Sequence, residues 1–447
     1  METFYHALKV APGTCIGCTH CMSLCPTRAI RVVRGMAVID KNACVDCGMC
    51  LKSCPRQAIY VAQDDFNQIF QYKYRVVILP TVLFGQFAEE VTEDQIFAEL
   101  HDMGFTHVIE AAQAYGVLAK ATRRYMQKHA YLRPFISAFC PAIVRLIQVR
   151  FPALLEHILP LKQGMDLAAI YARRKFTAEG VAPGDIGIFY VTPCAAKIAA
   201  IKSPVGEDRS DVDGVINLDF LYNKIQLGLS RHRDNPLPPV PEQTYLSPDA
   251  IAWTLSEGEA SNFEGRCLAI DGIHNVSDIL EKIENDELLD IDYLELRACS
   301  HSCPGGTLTV NNRFLTIERL RKRMQGVTDN PRTCPNDIAG DEEYLIANGR
   351  LHEEIPPRSI DQLDENFVTA MQKMEKINRI MEVLPRIDCG ACGTPSCHTL
   401  ARDVVQGKAK LSQCVFMQKL LCRESLMTAE ESMELSEQTW GEKRFEQ

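Results

Sequence analysis

The sequence predicts a multidomain protein that combines α/β and α+β architecture, with divisions near residues 75 and 355. Three observations lead to this fold class. One cysteine run occurs twice within residues 1–75, strand-like and helix-like segments alternate through residues 76–355, and residues 356–447 hold an amphipathic helical stretch followed by another cysteine run. A chain of 447 residues is long enough for about two to four domains with at least one sizeable core.

Composition and charge narrow the class of protein. The formal net charge of −10 argues against nucleic acid as the main partner. No apolar run reaches the length that spans a membrane, and the first residues lack the basic and apolar segments of a secretion signal, so we expect a cytoplasmic protein without a membrane partner. The chain has 19 cysteines, which is many for a compartment where disulfides are disfavoured, so clustered cysteines are expected to bind metal.

Residues 1–75 contain the run C-x2-C-x2-C-x3-C-P twice, and each copy is followed by a short strand-like segment. This run is typical of ferredoxin-like domains with two [4Fe-4S] clusters, in which the fourth cysteine of each copy binds the cluster of the other copy. A zinc site would use two CxxC pairs, and two complete copies that end in Cys-Pro argue against it. The predicted ligand sets are Cys15, Cys18, Cys21 and Cys54 for one cluster, and Cys44, Cys47, Cys50 and Cys25 for the other.

Residues 76–355 alternate between apolar strand-like runs and helical stretches, which indicates parallel sheets with helices on both faces. Thr92 and Gln95 form a capping-box pattern at the start of one helix, and Gly104 is expected to end that helix. Ligand sites in such sheets gather at the carboxyl ends of the strands. The predicted strands cover residues 74–80, 107–111, 134–139, 186–192, 267–271 and 293–296.

Three cysteine segments lie at the ends of these predicted strands. Cys140 follows one strand and Cys194 follows another, while Cys299 and Cys303 follow the last one. A Gly-Gly pair comes soon after Cys303 and lets the backbone approach a bulky group closely. A lone cysteine at a strand end is usually a small buried hydrophobic residue, and this alternative stays open for each one singly. Four such cysteines behind a ferredoxin-like domain indicate one further metal centre.

The segments at residues 138–141, 192–197 and 299–306 resemble, in order and approximate spacing, the three signature segments of the [FeFe] (iron-only) hydrogenases. The resemblance implies a two-lobed α/β catalytic domain that holds an H-cluster. That group is a [4Fe-4S] cubane joined to a two-iron subcluster with CO, cyanide and an azadithiolate bridge. Lys197 matches the lysine that hydrogen-bonds a cyanide ligand, and Cys303 matches the bridging cysteine. The implied cubane ligands are Cys140, Cys194, Cys299 and Cys303.

The chain differs from the catalytic members of that family at the positions that carry their proton-transfer route. Phe139 occupies the position of a cysteine that relays protons, Thr192 replaces a methionine, and residues 112–120 lack an acidic relay group. An aromatic ring cannot relay a proton, so the usual route is expected to be lost. The candidates for a replacement route are His301, because histidine side chains in general titrate near neutral pH, Glu295 and Glu257, and each of them has the alternative of an ordinary surface or loop residue.

Residues 356–447 contain the run C-x2-C-x4-C-x16-C after an amphipathic stretch at residues 361–384, which predicts a packed helix. The run resembles the [4Fe-4S] module of the B subunit of the Rnf electron-transport complex, of corrinoid proteins and of sensory [FeFe] hydrogenases; zinc is the alternative metal. A polar terminal helix is predicted from Gln418 to about Gln438. The implied ligands are Cys389, Cys392, Cys397 and Cys414, and the cysteines without an assigned role are Cys267, Cys334 and Cys422.

Together these resemblances imply a hydrogenase of the sensory type without a PAS domain, often called group D. It would interconvert H2 with protons and electrons slowly and relay electrons through three accessory [4Fe-4S] clusters. Its expected partner is a ferredoxin-like acceptor or a signalling kinase or phosphatase, and a homodimer through the C-terminal helices is a further expectation. Two alternatives stay open, namely a metabolic ferredoxin-dependent hydrogenase with an atypical proton pathway and an iron–sulfur scaffold without H2 chemistry.

Overall fold

The computed structural model describes residues 4–238, 240, 246–329, 337–358, 363–364 and 366–445. The chain forms two compact units, one from Met1–Val61 with Arg358–Gln447 and the other from Ala62–Pro357. The two ends of the chain therefore fold into one unit, while the division into three segments at residues 75 and 355 stays a prediction. Cys334 lies outside the described residues. Among the helices of the described residues, none is both long and apolar enough to cross a membrane.

Two short antiparallel strand pairs frame the N-terminal part of the first unit. Its elements are β1 Leu8–Val10, α1 His20–Ser23, β2 Ile30–Val33, β3 Met36–Ile39, α2 Met49–Ser53 and β4 Ile59–Val61. Strand β1 pairs with β4, and β2 pairs with β3 in a hairpin. The strand-like segments predicted after the two cysteine runs are β2 and β4, so the duplication in sequence is also a duplication in structure.

The second unit is built on two parallel sheets. Its elements in chain order are β5 Tyr74–Leu79, α3 Glu93–Asp102, β6 His107–Glu110, α4 Tyr115–Lys128, β7 Phe135–Ile136, α5 Pro141–Arg150, α6 Gly164–Ala178, β8 Ile186–Thr192, α7 Ala195–Lys202, β9 Gly214–Asn217, α8 Leu218–Arg231, α9 Pro248–Ala252, β10 Cys267–Asp271, α10 Ile273–Glu284, β11 Tyr293–Arg297, α11 Arg313–Asp329 and α12 Glu342–Asn348. One sheet has the strand order β6-β5-β8-β9 and the other β10-β11-β7, with every neighbouring pair parallel. The predicted parallel α/β architecture is confirmed.

The helix caps and strands predicted from the sequence of this unit agree with the structure, except at β7 and β9. Thr92 and Gln95 form the expected capping box at the start of α3, and Gly104 follows that helix with a φ of 106°. Strand β7 is shorter than the predicted residues 134–139, because the chain leaves the sheet before it reaches Cys140. Strand β9 was not predicted, since its 4 residues are too few to show a period.

The C-terminal part of the first unit consists of α13 Phe367–Val383, α14 Cys397–Val405, α15 Val415–Arg423 and α16 Ala429–Trp440. The prediction of one terminal helix from Gln418 to about Gln438 is wrong, because the chain breaks between α15 and α16. Ser425 adopts a φ of 60° there, and Thr428 starts α16 in a capping box with Glu431.

Helix α13 packs against α14 through part of its apolar face. Ile377, Ile380 and Met381 join the core that surrounds α14. Phe367 is 78% exposed and Met371 is 56% exposed, so the predicted apolar stripe is only partly covered. The homodimer through C-terminal helices stays a prediction.

Candidate metal centres

The thiols of the first predicted ligand set meet around one small cavity of the first unit. Cys15, Cys18, Cys21 and Cys54 line this cavity together with Val32 of β2. Burial, reinforced by the neighbouring thiols, raises the pKa of Cys21 to about 11. Metal that binds here must displace protons, and four convergent sulfurs are the donors of an iron–sulfur cluster. Ligation by these residues stays a prediction.

The second predicted set is brought together in the same way. Burial raises the pKa values of Cys44, Cys47 and Cys50. In all three cases Cys25 is among the neighbouring thiols that raise the pKa further, which places the fourth cysteine of the first run beside the second run. The geometry therefore has the crossed arrangement that the spacing predicts, while the ligation itself stays a prediction.

Backbone amides point at several of these sulfurs. An N–H···S bond stabilises the extra negative charge of a reduced cluster and so raises its reduction potential. The residues after each Cys-Pro supply such donors, because the chain turns back there towards the cysteine. The observed bonds run from Ala29 N to Cys25 Sγ (3.2 Å), from Ala37 N to Cys15 Sγ (3.3 Å) and from Ala58 N to Cys54 Sγ (3.2 Å).

The third predicted set lies in the C-terminal part of the first unit. Cys397 is the first residue of α14 and Cys414 is the N-cap of α15, and both are buried. Burial raises the pKa of Cys392, and the neighbouring Cys414 and Cys389 add to the increase. Cys389 is exposed, so this site is open to solvent on one side.

Two cysteines without an assigned role have local contacts of their own. Cys267 begins β10 and its Sγ donates to Phe263 O at 3.6 Å. Cys422 lies near the end of α15, and its Sγ donates to Thr428 O at 3.7 Å. These contacts assign no metal-binding role to either residue.

The cysteines of the second unit lie where its parallel strands end. Cys140 is the N-cap of α5 after β7, and Cys194 is the N-cap of α7 after β8. Cys299 and Cys303 follow β11. Burial raises the pKa of Cys194 to about 12, with Lys197 opposing the increase and the neighbouring Cys140 and Cys303 adding to it. The structure thus brings together residues from three distant segments, as the sequence predicts, and their role as ligands stays a prediction.

The Gly-Gly pair joins the last cysteine loop to the segment of Cys194. A Cβ on Gly306 would lie 2.5 Å from Pro193 O, and a Cβ on Gly305 would lie 2.0 Å from Ser300 O. Leu308 N also donates to Pro193 O at 2.9 Å. A side chain at Gly306 would push the loop of Cys303 away from the segment of Cys194, and a side chain at Gly305 would distort the loop itself.

The substitution Gly306→Ala is therefore expected to lower both the iron content and the melting temperature of the purified holoprotein. The steric conflict should destabilise the second unit by about 1–3 kcal/mol. Gly326→Ala is the matched control, because a Cβ at that helical position meets nothing within 4 Å. A Gly306→Ala protein with the iron content and melting curve of the wild type would contradict this account of the glycine pair.

Two buried cations flank the ring of Phe139. Lys197 is only 4% exposed, and its Nζ donates to Gln163 Oε1 at 2.8 Å. Lys197 Nζ lies 4.6 Å from the centroid of the Phe139 ring, and Arg297 Cζ lies 3.7 Å from the same centroid. The ring is attractive to both cations, but it offers no atom that could accept or donate a proton.

Arg297 belongs to a buried polar network that the sequence analysis did not identify. Glu259 Oε1 accepts hydrogen bonds from Ser137 Oγ and Tyr293 Oη, both at 2.7 Å. Glu259 Oε2 accepts from Arg297 Nη2 at 2.6 Å. Glu295 Oε1 accepts from Arg297 Nε at 3.4 Å. These hydrogen bonds and ion pairs make it possible to bury the charges.

One hydrogen-bond donor of this network, near the cysteines, has no partner among the described residues. Arg297 Nη1 is buried and has no hydrogen-bond partner among the described residues. Burial lowers the pKa of Arg297, but Glu259 and Glu295 outweigh it, and the nearby Cys303 and Cys140 add to the net increase. A usable signal existed in the sequence, since Tyr293, Glu295 and Arg297 are polar at period two in a strand that ends at a cysteine loop.

The three proposed proton-relay candidates have different positions. Glu295 is buried inside the network, and its Oε2 accepts from the backbone amides of Glu259 and Ala260. His301 lies within the cysteine loop with a φ of 65°, and its ring meets Phe314 edge-on at 4.8 Å. Glu257 is exposed, whereas Glu259, two positions later, is the buried carboxylate.

Family comparisons match three segments of the chain. Residues 73–228 match the family described as iron only hydrogenase large subunit, C-terminal domain. Residues 14–59 match the 4Fe-4S dicluster domain, and residues 384–416 match a family described as "Putative Fe-S cluster". No curated protein matches the sequence.

Solved structures with a similar fold include two hydrogenases. An [FeFe]-hydrogenase structure, HydA(deltaEFG), from work on stepwise H-cluster assembly matches with 14% identity and a TM-score of 0.48, over 66% of this chain and 97% of that chain. A variant of [FeFe]-hydrogenase HydA1 from Chlamydomonas reinhardtii matches with 14% identity and a TM-score of 0.46, over 64% of this chain and 94% of that chain. Neither similarity bears on activity.

Proposed function

Since this chain belongs to the [FeFe]-hydrogenase family through residues 73–228, we propose that it is a sensory hydrogenase that interconverts H2 with protons and electrons slowly. One observation carries the proposal. The thiols of Cys140, Cys194 and Cys303 converge at the strand ends, beside two buried cations that oppose the high pKa of Cys303. Sulfur donors next to fixed positive charge suit an anionic metal group.

The residues at this place fit an H-cluster. Cys140, Cys194, Cys299 and Cys303 would hold it, with Cys303 shared between the cubane and the two-iron subcluster. The unpaired Arg297 Nη1 is a donor that such a group would satisfy, and the glycine pair brings the cysteine segments close enough to share it. When bound, the H-cluster, with its CO, cyanide and azadithiolate ligands, supplies the redox chemistry that forms or splits H2.

The two cations orient and stabilise negative charge. Gln163 Oε1 holds the Lys197 ammonium group at 2.8 Å, which leaves the remaining N–H donors of Nζ free to serve an anionic ligand such as cyanide. Arg297 is fixed by Glu259 and Glu295, so its free Nη1 keeps one direction. Charge-assisted hydrogen bonds of this kind are strong in a pocket that excludes water.

Proton delivery is the weak step, because Phe139 stands where a proton donor is needed. We assign the replacement route to the carboxylates of Glu259 and Glu295. Burial raises the pKa of Glu295, although Arg297 opposes the increase, and Glu259 raises it further. A carboxyl group with a raised pKa keeps its proton to a higher pH than an ordinary carboxyl group does, and it can pass that proton to a hydrogen-bonded neighbour.

The same network favours the alternative of a metabolic hydrogenase with an atypical proton pathway. If Glu259 and Glu295 deliver protons efficiently, the enzyme needs no cysteine at position 139 and would work with a soluble ferredoxin. Turnover separates the two functions, because a sensory protein needs only enough turnover to set its own redox state. The accessory [4Fe-4S] clusters and the redox or signalling partner belong to this proposal in either case.

Infrared spectroscopy of the protein after maturation with a synthetic two-iron mimic tests the proposal. CO and cyanide stretching bands are expected in the wild type, since Cys303 and the two cations would retain the subcluster. Lys197→Met is expected to shift or broaden the cyanide bands, because the ammonium donor is lost. Exposed Lys322 gives the control Lys322→Met, which should leave the spectrum unchanged. A wild-type protein without these bands would reject both hydrogenase functions and leave an iron–sulfur scaffold.

A further inference from the structure

The loop that carries the third cysteine set packs directly on the ferredoxin-like part of the same unit. Within this loop, at residues 389–393, Gly393 O accepts a hydrogen bond from Val32 N of β2 at 2.8 Å. A Cβ on Gly393 would lie 2.4 Å from Val32 O, so the contact admits only glycine, which also has a φ of 78°. The close packing of strand β2 therefore requires glycine at position 393, directly after Cys392.

Val32 is also a wall of the first ferredoxin site. Val32 lines the cavity formed by Cys15, Cys18, Cys21 and Cys54, and its Cγ1 lies 3.2 Å from the Cβ position of Gly17, between the first two of these cysteines. One residue thus contacts the third-set loop through its backbone and the first ligand set through its side chain.

A second single-residue bridge runs through Met22. This residue follows Cys21 in α1, and its Cε lies 3.0 Å from the Cβ position of Gly390, the residue after Cys389. Met22 is only 3% exposed, so no layer of water separates the two loops at this point. The thioether is polarizable and fills the gap between cysteines of two different sets.

Buried polar contacts hold the two parts together. Arg31 Nε and Nη2 donate to the two carboxylate oxygens of Asp403 at 2.6 and 3.2 Å, and the two side chains are 13% and 9% exposed. Arg28 Nη1 donates to Ser396 Oγ at 3.3 Å. Bidentate pairs of arginine and carboxylate restrict orientation as well as distance, so the loops keep one relative position.

Helix α16 closes the arrangement from the far end of the chain. Gly35 N donates to Thr439 O at 3.0 Å, and Trp440 Nε1 donates to Ala391 O inside the third-set loop at 3.0 Å. One helix thus binds the turn after β2 and the third-set loop at once.

We propose that the third cluster exchanges single electrons directly with the cluster of Cys15, Cys18, Cys21 and Cys54, through the contacts of Val32 and Met22. The inference deepens the proposed electron relay and rests on that function only in that both sites hold iron–sulfur clusters. One electron leaves the reduced cluster and enters the oxidised one, with no bond or proton changing place. Tunnelling rates fall steeply with distance. At Val32 and at Met22 a single residue separates the two cysteine sets, so electron transfer between the clusters of these two sets is favoured. Because Cys389 is exposed, the third cluster is the end of the pair that meets solvent.

Electron paramagnetic resonance of the fully reduced protein tests the pairing, using dithionite as reductant and protein that lacks the two-iron subcluster. Cys47→Ser removes the second ferredoxin cluster and should leave a spin–spin interaction between the first and third clusters. Adding Cys414→Ser should abolish that interaction. Cys18→Ser, which leaves the second and third clusters together with the cubane of the second unit, should show a much weaker one. The pairing is wrong if Cys47→Ser shows no interaction, or if Cys18→Ser retains one of equal strength.

A cysteine variant could lose more than one cluster, so a second test uses a variant that keeps every cysteine. Asp403→Asn removes the charge that holds Arg31 and should weaken the interaction at unchanged iron content, while Lys419→Met, at an exposed lysine of α15, should not. An interaction of wild-type strength in Asp403→Asn would count against the contact described above. None of these spectra depends on H2, so a failed pairing with intact CO and cyanide bands rejects this inference alone.

Discussion

Phe139→Cys is expected to raise the rate of H2 evolution by roughly 10- to 1000-fold, because a thiol restores a proton donor and acceptor at the centre of the site. The present ring lies against Lys197 and Arg297 and is 6% exposed, so the new side chain would face the same cations in the same dry pocket. Those cations favour the thiolate and so help the thiol to give up its proton. Rates of H2 evolution with a chemical reductant, measured at equal H-cluster loading by infrared intensity, check the prediction.

Phe139→Ala is the matched control, since it opens a similar cavity without adding a thiol. Both substitutions should lower stability by about 3–5 kcal/mol through the lost packing, and only the cysteine should gain activity. Equal rates for the alanine and cysteine variants would show that access of water, and not a missing relay, limits the wild type. No gain in either variant would contradict the proposal that Phe139 limits H2 turnover.

Glu259→Gln is expected to lower the free energy of unfolding of the second unit by about 3–5 kcal/mol, because it removes a charge that balances buried Arg297. The two side chains are 5% and 3% exposed and their hydrogen bond is 2.6 Å long, so water cannot replace the lost partner. The amide keeps the shape of the carboxylate, which limits the effect to charge and hydrogen bonding. Thermal unfolding of both proteins under identical conditions measures the difference.

The same substitution should reduce H2 turnover about 100-fold or more, if protons pass through the carboxylate of Glu259. A structural role alone would change stability and leave the pH dependence of the rate unchanged, so the pH–rate profile separates the two roles. Glu257→Gln is the control, because that carboxylate is exposed two positions earlier in the chain. A Glu259→Gln enzyme with the wild-type profile would move the route to other residues, with Glu295→Gln as the next variant.

The grouping of the cysteines in the first unit could be predicted far into its detail, because its signals are local, while metal ligation by these residues stays a prediction. In the ferredoxin-like part, C-x2-C-x2-C-x3-C-P fixes the distance between thiols within one or two turns of chain, whatever the rest of the protein does. The crossed position of Cys25 beside Cys44, Cys47 and Cys50 follows from the duplication. The parallel sheets were predictable for a related reason, since strands buried on both faces are continuous apolar runs.

The polar network is not visible in the sequence because all of its hydrogen bonds described above, except the one between Glu295 and Arg297, join residues far apart in the chain. Glu259 precedes Arg297 by 38 residues, and a glutamate in a short loop looks like a solvated side chain in sequence. The sequence suggests Glu257 instead, but that residue is exposed and has a φ of 72°. The packing of this loop on β11 decides whether Glu257 or Glu259 is buried. No periodic pattern in the sequence predicts that packing.

By itself, the sequence determined which cysteines of the first unit form sets and where most of the parallel strands lie, and the family resemblance assigned Phe139 to a relay position. The cysteine sets follow from the spacing within each run, and the strands follow from apolar runs of a few residues. Only the tertiary structure decided that Arg297 enters the site with one free donor, and that the third cysteine loop packs on β2. The ion pair of Arg31 and Asp403 joins residues 372 positions apart. Contacts of that separation depend on the packing of whole elements, because the geometry of the intervening chain, and not its local pattern, brings the two side chains together.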